Sequence, residues 1–346
     1  MNSVLKNLAV LLVAVCLAAV LAAQDKAASF QSQEVKFDGH EVKLAGTLAV
    51  PKLEAGKRAP AVLIIGSEGK ANRDGVLIGN VKQTIYRDMA EHLAARGMVV
   101  LRYDKRCAGE SECKAAASFD DYVDDAKRGI EFLKKQTQVD AGKIFILGHS
   151  QGGYIAAIVG SHDDVKLAGV VLAAAPGRTL GKLLRDYVQV QMAEAGKKQD
   201  EISTYLLKFD YLIKELISGR QDFSGEKLNP GDPYEAVLLD LLKQREVTLS
   251  LLINDPLQVV NNIQSPVLIL QGKKDLQVKV KDAEYLEEAL KRASHKDITL
   301  KLFDDADHLL KTNKGAATLA SYADTSRPLD PALLAAVTDW LQKKAK

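Results

Sequence analysis

Residues 148–152 have the sequence GHSQG, which matches the pattern G-x-S-x-G; they follow the apolar stretch 144–147 and precede a helical pattern. A serine on a sharp turn from strand to helix presents its hydroxyl above a sheet edge, and small flanking residues permit that turn. The N–H of Gln151 would then face a developing oxyanion. The motif predicts Ser150 as a nucleophile. The alternative is a glycine-rich turn that packs or binds phosphate, although no G-x-G-x-x-G or G-x-x-x-x-G-K-[ST] pattern occurs.

A serine nucleophile needs a general base, and that base needs an acid to orient it. When the nucleophile is a serine on such a strand-to-helix turn, the acid and then the histidine come after it in the chain, at the ends of later strands. Asp275 comes shortly after the apolar stretch 267–271, and His308 follows the stretch 298–303. We therefore predict that Asp275 and His308 serve Ser150. Asp275 acting only as a helix cap, and His308 as a surface histidine, stay open as alternatives.

Other histidines and aspartates compete less well for these roles. His149 is adjacent to Ser150 in sequence, but we expect its side chain to point away from the nucleophile. The remaining histidines fall in the hairpin, within or at the end of a helix, or before a strand: His40, His92, His162 and His295. Three aspartates close to His308 are more typical of solvated loop charges: Asp304, Asp305 and Asp307.

Short apolar stretches alternate with helical patterns from residue 61 onward. The predicted strands are 61–65, 98–103, 143–147, 168–173, 266–271 and 298–303, and the predicted helices are 81–96, 119–136, 153–161, 279–293 and 331–344. Near-continuous apolar strands that alternate with helices indicate a mostly parallel sheet covered on both faces, that is, an α/β fold. Alternation from residue 34, interrupted by Asp38-Gly39 and ended by Pro51, predicts an antiparallel hairpin at one edge.

The pattern divides the chain into segments. Residues 24–33 are polar and predict a linker, and the α/β core is predicted over 34–175 and 263–346. Residues 176–262 show helical spacing without a strand pattern, which predicts a helical cap insertion over one end of the sheet. The alternative is that these helices only pack on the sheet and have no role at a site.

The first 23 residues resemble a secretory signal peptide. Lys6 is their only charge, residues 8–23 are an apolar run of 16 residues, and the segment ends in Leu-Ala-Ala. The run is short for a membrane span, which needs about 20 residues. We expect cleavage and export, with no membrane span in the mature chain; an uncleaved anchor and lipidation at Cys16 stay open. In an oxidising compartment Cys107 and Cys113 are expected to form a disulfide rather than two loop thiols.

The composition narrows the class of protein. Of 346 residues, 47% are hydrophobic and 27% charged, which excludes a disordered chain, a collagen and a polytopic membrane protein. The formal net charge of +2 gives no basic excess for nucleic acid. No H-E-x-x-H motif or Cys/His cluster has the spacing of metal ligands, and no cofactor or metal is expected.

The motif at 148–152, Asp275 and His308 together resemble the catalytic triad of the α/β-hydrolase superfamily. The chain is more narrowly similar to bacterial esterases grouped with dienelactone hydrolase and serine aminopeptidase relatives, over nearly everything from Glu34 onward. The supporting stretches are LRYDKR at 101–106, GS at 66–67 with NRDG at 72–75, and PVLILQG at 266–272.

The resemblance implies that the backbone N–H of Ser67 is the second oxyanion donor. This sequence departs from the family pattern at Ile65, where many relatives have histidine, and at Glu68, where glycine is common. A carboxylate aimed at an oxyanion would oppose the charge that develops there, so either Glu68 faces away or Ser67 is the wrong donor. Cys107 also replaces the glycine that usually follows the Asp-Lys-Arg run.

These observations predict an exported serine hydrolase that cleaves small carboxylic esters, with an α/β-hydrolase fold. An acyl thioesterase would use the same residues, but export makes coenzyme A esters unsuitable substrates. An aminopeptidase or amidase would need an acidic patch, for which the insertion offers Glu194, Asp200 or Glu201. A protein that kept the fold and lost the chemistry would only bind its ligand.

Overall fold

The structure is a computed structural model that describes residues 29–67, 72–78, 80–114, 117–243 and 245–346. The strands are β1 Phe30–Asp38, β2 Lys43–Pro51, β3 Ala59–Ile65, β4 Leu77–Ile78, β5 Val81–Lys82, β6 Val99–Tyr103, β7 Val139–His149, β8 Gly169–Ala173, β9 Val267–Gly272 and β10 Ile298–Phe303. The helices are α1 Ile85–Ala94, α2 Phe119–Lys134, α3 Gln151–Ser161, α4 Leu180–Glu194, α5 Gln199–Ile217, α6 Pro233–Lys243, α7 Arg245–Ile253, α8 Pro256–Val260, α9 Val280–Arg292 and α10 Pro331–Lys344. Within these ranges, no helix has the length and apolar character needed to cross a bilayer.

Eight strands form one sheet in the order β1-β2-β6-β3-β7-β8-β9-β10. The hairpin β1-β2 is antiparallel, β2 pairs antiparallel with β6, and every pair from β6 to β10 is parallel. The predicted strands and helices of the core are present with shifts at their ends. The largest are in β7, which begins at Val139 rather than at 143, and in α1, which begins at Ile85 rather than at 81 because residues 81–82 form β5. The fold is the α/β-hydrolase fold that the sequence predicts.

The first strand begins earlier than the sequence pattern indicates. Residues 30–33, which were predicted to belong to a linker, pair with Leu48–Pro51 on β2 as part of β1. The side chains of 31–34 are exposed because β1 is an edge strand, and such a strand needs no apolar residues on its solvent side. Hydropathy therefore does not reveal this part of the strand. The predicted signal segment 1–23 lies outside the described residues.

Helices cover both faces of the sheet. Strands β6, β8 and β9 are buried along their whole length, as expected for a parallel sheet between two helical layers. Helices α2, α3 and α9 pack on one face, and α1 and α10 on the other. This double cover leaves the carboxyl ends of the strands at one edge, where open α/β sheets bind ligands.

The residues between β8 and β9 form only helices, α4 to α8 and one 3₁₀ turn, within the described residues. Helices α4, α5 and α6 share an apolar cluster of their own, which includes Val188, Phe209 and Leu238. The insertion has a core separate from the sheet. Its helices α4, α7 and α8 also contribute to a pocket that contains Ser150.

Candidate active site

Ser150 lies on a strained turn between β7 and α3. Its backbone has φ 55° and ψ −121°, a conformation that costs free energy for a residue with a side chain and that is typical of a nucleophile elbow. The turn requires glycine on both sides. A Cβ at Gly148 would lie 2.0 Å from the carbonyl oxygen of Gly152, and a Cβ at Gly152 would lie 2.3 Å from that of Ile65. The sequence pattern G-x-S-x-G is therefore a steric requirement of this backbone.

Asp275 and His308 lie in the loops after β9 and β10, and the structure brings them together. The Nδ1 of His308 is 2.9 Å from Oδ2 of Asp275, and both side chains are buried. The other carboxylate oxygen accepts hydrogen bonds from the N–H groups of Gln277 and Val278 at 2.8 and 2.9 Å. The carboxylate is thus fixed in place. Because a carboxylate only accepts, Nδ1 of a neutral His308 bears the proton and Nε2 is left unprotonated, as a general base must be.

The three aspartates that compete with Asp275 form other pairs. Asp304 pairs with Lys273 at 2.6 Å and Asp305 with Lys274 at 2.8 Å on the surface, as expected for loop charges. Asp307 differs from the prediction because it is completely buried, and it accepts a hydrogen bond from Arg327 at 2.6 Å.

Asp307 shapes the loop that contains His308. Its Oδ1 accepts from the N–H groups of Leu309 and Lys311 at 3.0 and 3.3 Å. Burial raises its pKa, which the Arg327 guanidinium opposes. Asp307 is therefore part of the hydrogen bonding within the loop of the predicted base. The local sequence does not reveal this role, because it depends on Arg327, which is distant in sequence.

His149 is completely buried and joins two loops of the site. Its Nε2 lies 2.7 Å from the carbonyl oxygen of His308, and its Nδ1 lies 2.9 Å from the hydroxyl of Tyr86. Because a carbonyl oxygen can only accept, Nε2 bears the proton and Nδ1 accepts from Tyr86. Burial is the main reason that the pKa of His149 falls to about 3, and the neighbouring His308 adds to the effect. The imidazole is neutral at physiological pH.

The predicted second oxyanion donor is already hydrogen-bonded. The N–H of Ser67 donates to the hydroxyl oxygen of Tyr86 at 2.6 Å, which continues the chain from His149. To serve an oxyanion, this N–H would have to leave Tyr86, so the geometry does not support the role that the family resemblance implies. Gln151 is the first residue of α3, and its N–H has no partner inside that helix. Glu68, on which the sequence raised a doubt, lies outside the described residues.

Lys105 is a buried residue of the site that the sequence analysis did not single out. Its Nζ donates to the carbonyl oxygen of Ser67 at 2.5 Å and to Oε1 of Gln151 at 3.0 Å, and it lies 5.6 Å from the centre of the Tyr122 ring. The ammonium group thus connects the loop after β3 to the start of α3. Lys105 is the second residue after the apolar strand β6, and a lysine so close to a strand end is the signal that could have identified it.

A disulfide joins Cys107 and Cys113 in the loop that follows Lys105. This is the pairing that the sequence predicts. Neighbouring charges fasten the same loop to the core: Arg106 pairs with the buried Asp125 at 2.8 Å, and Asp104 pairs with Arg73 at 2.6 Å. These pairs have structural roles.

Ser150 opens into a pocket between the sheet edge and the insertion. Its wall is mostly apolar and comes from α3, α4, α7, α8 and the loops after β8 and β9: Tyr154, Pro176, Leu180, Leu183, Leu184, Tyr187, Leu251, Pro256 and Val278, with the polar residues Gln151, Arg178 and Gln277. Among the described residues of this wall, Arg178 is the charged one. Its guanidinium makes two hydrogen bonds of 2.8 Å to Asp282 and one of 2.7 Å to Asp186, so its charge is compensated.

The acidic residues considered for binding a substrate amine lie elsewhere. Glu194 accepts a hydrogen bond from the N–H of Leu319, Glu201 accepts from the N–H of Lys198 at the start of α5, and Asp200 is exposed beside it. None of the three belongs to the wall of the Ser150 pocket in the described part of the chain. These three residues therefore do not form an acidic patch in the described wall of this site.

Three features of this site are typical of the α/β-hydrolase fold. A strained elbow serine lies at one strand end, a hydrogen-bonded Asp–His pair follows two later strands, and a helical insertion lies over them. The chain has the α/β-hydrolase fold, and two family models match parts of its sequence. Residues 80–207 match the family model of serine aminopeptidase, S33, and residues 251–343 match the model of the dienelactone hydrolase family.

Known proteins with similar sequence or structure agree with this class. The chain is 25% identical over 317 residues to esterase EstD of Thermotoga maritima, covering 91% of this chain and 68% of that protein. The fold is similar to that of the Pyrococcus furiosus esterase Pf2001, with a TM-score of 0.58, 20% identity and 92% of each chain covered. It is also similar to the α/β hydrolase GrgF from Penicillium sp. sh18, with a TM-score of 0.57, 15% identity and coverage of 91% and 99%.

Proposed function

We propose that this protein is a serine hydrolase that cleaves carboxylic esters through an acyl-enzyme intermediate. The observation that supports this most directly is the 2.9 Å hydrogen bond between Asp275 and His308, in the loops that share a sheet edge with the elbow serine Ser150. The similarity to a named esterase over most of the chain supports the same reaction class.

In the proposed mechanism the Oγ of Ser150 attacks the acyl carbon while Nε2 of His308 takes its proton. The bond to the alcohol then breaks, and His308 returns the proton to the leaving oxygen. Water, activated by the same histidine, hydrolyses the acyl-enzyme and restores Ser150. Asp275 holds Nδ1–H and stabilises the charged imidazolium in both halves of the reaction. The N–H of Gln151 stabilises the oxyanion, and loss of one such donor costs roughly 3–4 kcal/mol of barrier.

The charges and apolar residues of the pocket wall favour a neutral ester over a peptide with a free, charged amino terminus. An aminopeptidase needs an uncompensated carboxylate near the nucleophile to hold the substrate ammonium. Among the wall residues that the structure describes, the charged group is Arg178, and both of its carboxylate partners are already engaged by it. An apolar wall of leucines suits an uncharged acyl or alcohol chain.

The test is hydrolysis of p-nitrophenyl esters from acetate to palmitate by the mature protein and by Ser150→Ala. We expect activity that disappears in the variant, with the chain-length optimum giving the depth of the pocket. Aminoacyl p-nitroanilides serve as the second set of substrates. Faster, Ser150-dependent cleavage of the anilides would replace the ester proposal with an aminopeptidase, and no turnover of either set would favour a binding protein.

We further propose that the chain is exported after cleavage near residue 23. The apolar amino-terminal segment and the Cys107–Cys113 bridge support this, because disulfides persist in oxidising compartments. The test is expression with the natural amino terminus, fractionation, and mass spectrometry of the alkylated, non-reduced protein. A full-length chain in the cytosolic fraction with two labelled thiols would contradict export.

A further inference from the structure

Gln271 is a completely buried polar residue of β9 whose amide contacts the carboxylate of Asp275. Side chains alternate between the two faces of a strand, so Gln271 lies on the same face as Val267 and Ile269. Those two residues belong to the apolar cluster shared with α2, α3 and α9. The strand pattern therefore favours an apolar residue at position 271, and the amide found there calls for an explanation.

The amide nitrogen of Gln271 faces three oxygen atoms. Nε2 lies 2.9 Å from the carbonyl oxygen of Val278, 3.0 Å from that of Gly272 and 3.2 Å from Oδ2 of Asp275. Carbonyl and carboxylate oxygens only accept, so the nitrogen rather than the oxygen of the amide must lie on this side. Gly272 also accepts from the N–H of Asp275 at 3.4 Å and does not depend on the glutamine. The two amide hydrogens are thus available to Val278 and Asp275.

This orientation of the amide is unfavourable at its other end. Oε1 of Gln271 is buried and has no hydrogen-bond partner among the described residues. A methionine of similar length would fill the same space without burying an unsatisfied oxygen. We therefore expect the amide to be retained for the groups that its nitrogen holds.

The amide belongs to a set of donors around the proposed acid. Oδ1 of Asp275 accepts from the backbone N–H groups of Gln277 and Val278. Oδ2 accepts from Nε2 of Gln271 and from Nδ1 of His308. Because these backbone donors hold only Oδ1, the amide of Gln271 helps to fix the oxygen that meets the proposed base.

We propose that Gln271 is a positioning residue for hydrolysis, which holds Oδ2 of Asp275 where it accepts the Nδ1–H of His308. This inference rests on the proposed ester hydrolase function. A well-directed carboxylate stabilises the imidazolium that forms when Ser150 loses its proton. That interaction strengthens in the transition state, so the contribution of Gln271 belongs to kcat rather than to KM.

The experiment replaces the amide with an apolar chain of similar length, Gln271→Met. We expect kcat for p-nitrophenyl butyrate to fall about tenfold, as for one lost hydrogen bond to a charged group, with KM within about twofold of the wild type. Should this variant not fold, Gln271→Asn serves instead, because it keeps an amide and withdraws it from Oδ2 by one methylene group. Urea unfolding establishes that the variant measured is folded.

A second readout reports on the hydrogen bond between His308 and Asp275 directly. It is the far-downfield proton resonance of an Nδ1–H bonded to a carboxylate, assigned by its absence in His308→Gln. In Gln271→Met this resonance should move upfield or broaden, because Oδ2 is no longer held. A purely structural role of Gln271 would leave it in place. Where exchange broadens the wild-type signal, the kinetics of the variant and its control decide.

Gln83→Met is the matched control. Gln83 is also a buried glutamine, and its Nε2 donates to the carbonyl oxygen of Tyr322 at 2.8 Å, while its Oε1 accepts from Lys311 at 2.6 Å. Its amide thus holds loop groups other than Asp275. We expect this variant to melt at a lower temperature, with kcat and the His308 resonance close to those of the wild type.

Three results would overturn the inference while the enzyme still hydrolyses esters. The first is an unchanged kcat in a folded Gln271→Met, which would leave the amide only backbone carbonyls to hold. The second is a loss of kcat without any change in the His308 resonance, and the third is an equal loss of kcat in Gln83→Met. Failure of the wild type to hydrolyse any ester would instead refute the proposed function, and the resonance would still test whether Gln271 positions Asp275.

Discussion

The side chain of His149 donates a 2.7 Å hydrogen bond to the backbone carbonyl of His308. The residue before the elbow serine is therefore connected to the residue proposed as its general base. Through Tyr86 the same imidazole reaches the N–H of Ser67, so one chain of hydrogen bonds joins the loops after β3, β7 and β10. His149 thus positions the proposed base through the backbone of His308 and takes no part in proton transfer itself.

Replacing His149 with glutamine should lower kcat about tenfold or more with little change in KM, because a small displacement of His308 affects the reaction more than binding. The buried carbonyl of His308 and the hydroxyl of Tyr86 would also lose well-placed partners, at roughly 1–3 kcal/mol for each group left unsatisfied. Steady-state kinetics and urea unfolding measure the two effects. The control is His92→Gln: His92 contacts Thr338 at 3.1 Å, outside the site, and its loss should leave kcat unchanged.

The same histidine should contribute to acid sensitivity. Its pKa is about 3 in the folded protein and near 6.5 when unfolded. Between these values the unfolded chain binds a proton that the folded chain does not, so the free energy of unfolding falls as the pH falls from 6.5 to 3. We expect the decrease to be shallower in His149→Gln, measured by unfolding at several pH values. Parallel profiles of variant and wild type would contradict the buried neutral state.

Asparagine in place of Asp275 should reduce kcat about 10⁴-fold, because the amide would favour the tautomer of His308 with its proton on Nε2. The chain offers a matched variant, Asp304→Asn, in an exposed loop residue that pairs with Lys273. It is expected to retain wild-type activity in the same ester assay. Equal losses of activity in the two variants would show that Asp275 does not have the acid role.

Reducing the Cys107–Cys113 bridge should lower the free energy of unfolding by about 2 kcal/mol, since the closed loop is short. The bridged loop begins two residues after Lys105. We therefore expect a lower melting temperature in dithiothreitol, and the same decrease in the double variant Cys107→Ser, Cys113→Ser. A melting temperature that dithiothreitol lowers in the double variant as well would attribute the effect to something other than the bridge.

Arg178→Gln should destabilise the protein by about 3–5 kcal/mol, because it leaves the completely buried carboxylate of Asp282 without its counter-charge. Arg178 also joins the first residues of the insertion to α9 of the core, so ester hydrolysis should fall with it. The comparison is Arg185→Gln, which removes a half-exposed pair with Asp210 on the insertion surface. That change should remain within about 0.5 kcal/mol of wild type in urea unfolding.

The sequence by itself determined the elements and the residues at their ends. Ser150, Asp275 and His308 each follow a short apolar strand, and parallel strands bring such ends to one edge, so local patterns were sufficient to predict that all three lie at that edge. The glycines around Ser150 were also sufficient to predict the turn, because its steric limits act within five residues. The helical character of 176–262 also followed from local periodicity.

Only the tertiary structure decided what those residues contact. The partners of His149 are 63 and 159 positions away in sequence, and those of Lys105 are 38 and 46 positions away. In the sequence Asp307 cannot be distinguished from its solvated neighbours Asp304 and Asp305. In the folded structure it is enclosed by Arg327 and the loop backbone. Edge strand β1 begins among polar residues because backbone pairing, rather than side-chain burial, holds it. Hydrogen bonds between distant segments and the burial of single polar atoms depend on packing, which no local pattern encodes.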